Sequence, residues 1–195
     1  MEKYFRSLMI IFCVIIFIVN FNVVTVTAFD EDVYGIYWPS TPCTVRVRNG
    51  LGNYDSSIIS AMNKWNSVKS NSGANMITYE LGSSSNNIEW SYIMDDSFIG
   101  YADIAAPGLI ISSFNIYLNG GKSWTSGAAS GRYNVETVII HELGHVLGVN
   151  HCHMIGNSCS SGTCTYNVMR PSVSTGTTKT TLQAYDKNSY RNIYS

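Results

Sequence analysis

Three of the chain's four histidines fall within one short stretch, His141-Glu142-Leu143-Gly144-His145-Val146-Leu147-Gly148-Val149-Asn150-His151. On a helix, His141 and His145 project from one face at the separation that two ligands of a single metal ion need. Imidazole nitrogen suits zinc. A third ligand on the next turn would crowd the first two. Gly148, though, can adopt a left-handed conformation, end the helix and turn the chain back so that His151 reaches the same ion. Three protein ligands leave one tetrahedral position open, which distinguishes a catalytic zinc from a structural one. Glu142 is rotated by about 100° from His141 around the helix axis. That aims it beside the metal, as a base for a water whose pKa zinc lowers to about 7. The plain alternative is ordinary histidines on a buried helix, and the fixed offsets of Gly148 and His151 weigh against it. His153 reads as a loop histidine.

The helix carrying these residues is expected to begin near Asn134 and run through Val138, Ile139 and Ile140 to about Gly148. Glu136 falls in its first turn, where the helix dipole favours a carboxylate. Apolar residues lie on both of its sides, so it should be buried. An earlier helix is expected from a cap at Asp55 to about Lys69, with Ile58, Met62 and Trp65 at helical spacing and Ile59 and Ala61 widening the apolar face. A third should run from Leu182 to about Ile193. Strand-like runs are Cys43 to Arg48, Met76 to Leu81, Ile88 to Met94 and Leu109 to Leu118, with a loop at Ser83 to Asn87. No internal repeat is present.

A chain of 195 residues suffices for one domain with a proper core and is short for two. Charged residues make up 13% and apolar residues 45%, which excludes disorder and coiled coil. The formal net charge is -1 and no basic run occurs, so a nucleic-acid partner has no electrostatic footprint. The first 28 residues read as an export signal: Lys3 and Arg6, an apolar stretch from Leu8 to Val19, and small residues at Val26-Thr27-Ala28. The apolar stretch is short of the roughly 20 residues of a spanning helix, so no stable membrane anchor is expected. Residues 29–195 would then form a single secreted domain, expected as a monomer. Removing the leader takes Cys13 with it and leaves Cys43, Cys152, Cys159 and Cys164. An even number of cysteines in an exported protein suggests two disulfides. Three pairings are open, and Cys159 with Cys164, leaving Cys43 for Cys152, is the preferred one.

His141-Glu142-x-x-His145-x-x-Gly148-x-x-His151 followed by Val168-Met169-Arg170-Pro171 resembles the metzincin metalloproteases. Met169 resembles their Met-turn, an apolar floor beneath the zinc ligands. Within that clan the chain is most similar to a minimal matrixin catalytic domain. Ala61-Met62-Asn63-Lys64-Trp65, Ile77-Thr78-Tyr79, the run Leu109 to Leu118 ahead of Trp124-Thr125, Pro171, and Leu182-Gln183-Ala184-Tyr185-Asp186 with Ile193-Tyr194 look like matrixin landmarks. The resemblance implies a mixed α/β fold, in which a twisted, mostly parallel sheet with one antiparallel edge strand lies over the active-site helix and a C-terminal helix closes the chain. It implies one catalytic Zn2+, held by His141, His145 and His151 with Glu142 as general base. It also implies an extended peptide or protein substrate along a rim formed by Gly100 to Pro107, and a pocket for the residue after the cut walled by Pro171 to about Thr181.

The chain departs from matrixins in several places. No histidine precedes His141, so their second, structural zinc is not expected. For a structural Ca2+, Asp95, Asp96 and Asp103 are weaker candidates than the histidines are for zinc, and solvated surface carboxylates are the alternative. A latency propeptide is not recognisable, and Asp30-Glu31-Asp32 could instead cap the zinc or form a solvated terminus. Astacins carry Tyr two residues after the Met, where this chain has Pro171; a reprolysin-like metzincin is the nearer rival because of the Cys-rich loop before Met169. A rival of another class is a non-catalytic zinc-binding secreted protein whose open site is closed by Cys152 or Cys43.

Overall fold

The computed structural model describes residues 25–27, 35–39, 43–47, 51–68, 79–152 and 163–194. The architecture is mixed α/β. Six strands form one sheet in the order β1-β5-β6-β4-β2-β3: β1 Thr25–Thr27, β2 Cys43–Val47, β3 Tyr79–Leu81, β4 Asn87–Ser91, β5 Gly100–Ala105 and β6 Ser113–Asn119. The β2/β3, β2/β4 and β4/β6 pairs are parallel, whereas β5 runs against both β6 and β1. The sheet is therefore mostly parallel, with β5 its one reversed strand, as the resemblance implied. Burial alternates along β5 and along β6 up to Leu118, with Ala102, Ile104, Phe114, Ile116 and Leu118 turned inward.

Three helices complete the fold: α1 Asp55–Asn66, α2 Val135–Val146 and α3 Ala184–Tyr194. The two short strands β7 Trp124–Thr125 and β8 Tyr133–Asn134 pair in parallel and deliver the chain into α2. Asn134 ends β8 and caps α2, its side chain accepting the Thr137 N–H at 2.8 Å. Ten of the twelve residues of α2 are buried, so this helix lies inside the molecule instead of on its surface. Among the described residues no helix is long and apolar enough to cross a membrane.

Three aromatic side chains donate to carbonyls along α2. Trp65 of α1 bonds Ile140 at 2.8 Å, Tyr79 of β3 bonds Leu143 at 2.7 Å, and Trp38 bonds Val146 at 2.9 Å. A buried helix could slide within an apolar envelope, because the hydrophobic effect is non-directional. These three directional bonds fix its axial position. At the surface end, Ser60 and Lys64 of α1 bond the Glu136 carboxylate in the first turn of α2. α3 packs Tyr190 edge-on against Trp65, with ring centroids 5.8 Å apart.

Several boundaries differ from the sequence expectation. Asp55 does not cap α1: a 3-10 turn over Gly52–Tyr54 leads into the helix, Tyr54 occupies the cap position without a side-chain bond, and Asp55 is the first helical residue. α1 ends at Asn66, and Lys69 lies outside the described residues. α3 starts at Ala184, two residues later than Leu182 suggested. Leu109 to Ser112 do not join β6. The chain turns at Gly108 (φ 71°), and Tyr37 then bonds both Leu109 and Ile111 in an isolated parallel bridge, while the Ser112 N–H bonds the Ala105 carbonyl of β5. Met76 to Thr78 and Arg48 lie outside the described residues, and Ile88 to Met94 contracts to Asn87–Ser91.

Tyr79→Phe removes only the hydroxyl that holds Leu143. The expected loss is about 1 kcal/mol, read by urea unfolding; an unchanged midpoint would show that this bond does not position α2.

Candidate metal centre

The site grows out of the way α2 ends. Leu147 closes the helix, and Gly148 follows at φ 82°, a left-handed conformation in which a Cβ would overlap the carbonyl oxygen of Ile36. The Val149 N–H then bonds back to the Gly144 carbonyl at 2.9 Å, and the reversed chain carries His151 under the helix. His141 and His145 lie on the α2 face that meets it.

The three Nε2 atoms form a nearly regular triangle: His141 to His145 3.1 Å, His141 to His151 3.1 Å and His145 to His151 3.0 Å. The geometry also assigns two of the tautomers. His141 Nδ1 lies 2.8 Å from the Val168 carbonyl, and His145 Nδ1 lies 3.0 Å from the Val149 carbonyl. A carbonyl only accepts, so each Nδ1 carries the proton and each Nε2 presents a bare lone pair. No proton is then available to bond His141 to His145, and their lone pairs face one another. A cation resolves that arrangement. Tetrahedral zinc with bonds of about 2.0–2.1 Å spaces its nitrogens roughly 3.3 Å apart, within a few tenths of an ångström of this triangle. Burial pushes the His141 pKa down and the His145 pKa well down, and at His145 the other two imidazoles add to the effect. Both rings are thus held neutral, the form that binds metal.

Among the described residues this is the one group of three or more His, Cys, Asp or Glu side chains whose ligand atoms lie within 4.8 Å of one another. Cys152 follows His151 and is buried, but its sulfur does not join the group. Its backbone N–H bonds the Met169 carbonyl at 3.0 Å. The side chains of Cys43, Cys159 and Cys164, on which the expected disulfides rest, lie outside those described, as does His153. Asp95 bonds the Ser97 N–H, and Asp96 pairs with Lys122 while remaining 93% exposed.

Glu142 is 5% exposed and lines the same cavity as the three histidines. The Ala102 N–H of β5 bonds its carboxylate, which favours the charged form, but desolvation is larger and pushes the pKa up to about 8. Its Oε2 is buried with no hydrogen-bond partner. An orphaned carboxylate oxygen beside the bare nitrogens of His141 and His145 suits a polar occupant of the cavity.

Met169 is fully buried, and its sulfur lies where a Cβ on Gly144 would be. Gly144 is therefore the flat spot on α2 that admits the methionine beneath the histidines. Asp186, fully buried, holds this turn: its carboxylate accepts the N–H groups of Val168 at 3.2 Å and Met169 at 3.1 Å. It also accepts the Gln183 N–H at 2.7 Å, three residues earlier, which starts α3. One carboxylate thus fixes both the Met-turn and the C-terminal helix. Sequence reasoning noted Asp186 as a landmark and missed this role, because the signal is a lone acid with no local partner.

The cavity, of about 240 Å³, is bounded by Phe98, Ile99 and Gly100 on the β5 side and by Arg170, Pro171 and Val173 on the other. Pro171 lines this cavity. Of the expected rim, Gly100 borders the cavity, and a Cβ there would press on the Tyr117 carbonyl at 2.9 Å.

Because the folded pKa of Glu142 is raised from 4.5 to about 8, the native state keeps a proton that the unfolded chain releases between those values. Metal-free protein therefore loses stability as pH rises through that window. Glu142→Gln should make metal-free protein more stable at pH 8 by a few kcal/mol, at about 1.4 kcal/mol for each tenfold difference in proton affinity between the folded and unfolded chains, with the gain shrinking toward pH 4.5 in denaturant titrations. A pH-independent difference would remove burial as the cause.

The Matrixin family model matches residues 52–195. Comparison with curated proteins returns no match. With that span covering α1 through α3, and with the three-histidine group in the order and spacing of the family's zinc site, the chain belongs to the matrixin family of metallopeptidases.

Proposed function

We propose that the protein is a secreted zinc endopeptidase, acting as a monomer, with Glu142 as the general base for hydrolysis of peptide bonds. The observation that carries this reading is the orphaned Glu142 Oε2 in a cavity shared with the three histidines. The chemistry that zinc supplies when held by His141, His145 and His151 is polarisation of the scissile carbonyl and a more acidic attacking water. Glu142 takes the proton of that water at Oε2. The water oxygen bonds the carbonyl carbon, the C–N bond breaks, and Glu142 returns the proton to the leaving amine nitrogen. Desolvation, which makes the carboxylate a stronger base, suits it to both transfers.

The peptide would lie along β5. The outer edge of that strand already accepts an extended segment, with Thr25 opposite Ala105, Val26 opposite Ile104 and Thr27 opposite Asp103, antiparallel. A substrate can use the same main-chain groups by strand addition. Cleavage of the leader after Ala28 would remove Thr25–Thr27 and free the edge, which ties export to activity.

Glu142→Gln should retain one zinc per chain and lose at least about 100-fold in kcat, measured on a digested peptide library with and without a chelator. A variant cleaving at the parental rate would remove Glu142 from the mechanism. His151→Ala should weaken zinc binding by orders of magnitude in metal titration, since two imidazoles hold zinc far less well than three; unchanged affinity would mean that the third ligand lies elsewhere.

A further inference from the structure

The cavity carries charge that peptide hydrolysis does not require. Arg170 and Lys179 both line it, at the two ends of the wall segment, and the acidic residue among its described lining is Glu142. Neither cation makes an ion pair among the described residues; the ion pairs present there join Lys64 to Glu136 and Lys122 to Asp96. Both are partly buried, and they stand near enough to oppose one another: burial and then the Arg170 charge push the Lys179 pKa down. Two like charges held close at a half-desolvated surface without a counterion are unfavourable. An anion entering between them relieves that repulsion.

The backbone that carries them is anchored. Arg170 follows Met169, which is tied to Asp186, and borders Val168, whose carbonyl fixes the His141 ring. The Lys179 N–H bonds Thr137 Oγ1 at 2.9 Å, and that hydroxyl bonds the Asn134 cap. Thr137 lies one helical turn before His141, so the segment from 170 to 179 leaves the metal centre at Arg170 and returns to α2 at Lys179. The partly open cavity of about 240 Å³, which also takes in the three histidines and Glu142, falls below the range typical of whole ligand sites. It suits a single side chain.

We propose that this cavity selects substrates with an acidic side chain, Glu or Asp, at the residue after the cut bond, its carboxylate paired with Arg170 and Lys179. The assignment rests on the peptidase reading, and on the matrixin likeness for which residue enters the cavity. Arg170 offers a planar fork matched to a carboxylate and Lys179 a second charge, so charge-assisted bonds form inside a partly dry wall, where they discriminate most strongly.

The test uses the zinc-loaded protein. A peptide library is digested with and without chelator and the cut bonds are mapped; matched peptides with Glu, Gln, Leu or Lys after the cut are then compared by kcat/KM. Expected are enrichment of Glu and Asp after the cut, a Glu-to-Gln preference of about 10-fold or more, Lys as the poorest, and a preference that shrinks as salt is raised. Arg170→Gln and Lys179→Gln should each drive the Glu-to-Gln ratio toward one, a comparison of two substrates on one protein sample that a partial folding defect does not move. Calorimetric binding of the Glu and Gln peptides to the zinc-loaded Glu142→Gln protein gives the same ratio without turnover. Chelator-sensitive cleavage with Gln or Leu equal to or above Glu overturns the acidic selection and leaves the peptidase reading standing. A Glu preference that survives both substitutions overturns the assignment to these residues. If no bond in the library is cut, the peptidase reading fails, and equal binding of the two peptides overturns the cavity's preference independently.

Discussion

The structure is organised around one electrostatic arrangement: imidazole lone pairs pointed at a common centre. Two rings are held there by carbonyls, Val168 on His141 and Val149 on His145, each of which takes the Nδ1 proton and leaves Nε2 bare. Left to themselves, such rings would rotate away from one another or share a proton. They do neither because His145 is buried and His141 partly so, their outer nitrogens are bonded, and desolvation opposes the protonated form.

Much of the remaining fold can be understood as the support this arrangement needs. The carbonyl that fixes His141 belongs to the turn held by Asp186, and the carbonyl that fixes His145 lies just past Gly148, in the reversal that brings His151 back. The sheet and α1 act on α2 through Trp65, Tyr79 and Trp38, three donors spread over two turns of the helix. Gly144 contributes by lacking a side chain, so that Met169 can fill the space beneath the rings. An unbroken chain of directional contacts therefore links the C-terminal helix to the metal ligands. Apolar packing supplies most of the stability, and the hydrogen bonds supply the placement.

The cavity divides its labour by charge. At one side Glu142 is desolvated beside the three histidines; at the other, Arg170 and Lys179 share the wall without an ion-pair partner among the described residues. β5 contributes the Ala102 N–H to Glu142 and pairs on its outer side with the short strand β1.

The three-histidine group, the buried helix and the mixed α/β class were legible in the sequence because they depend on local spacing. Residues four apart on a helix share a face whatever surrounds them, and a glycine at a helix end can reverse the chain wherever it occurs. Even the start of the helix near Asn134 could be placed in this way. The expected cap at Asp55 failed because the preceding 3-10 turn, stabilised by packing around Leu51, sets where α1 begins. Leu109 to Ser112 has strand composition, and only its pairing with Tyr37 decides that it leaves β6. Asp186 bonding backbone groups 17 and 18 residues earlier, Tyr79 reaching Leu143, and Arg170 meeting Lys179 across a cavity were decided by the tertiary structure. Each joins residues through space at separations that carry no periodic signal, and each depends on where the whole chain packs. Local stereochemistry fixed which groups could do the chemistry; long-range packing fixed what holds them and what they face.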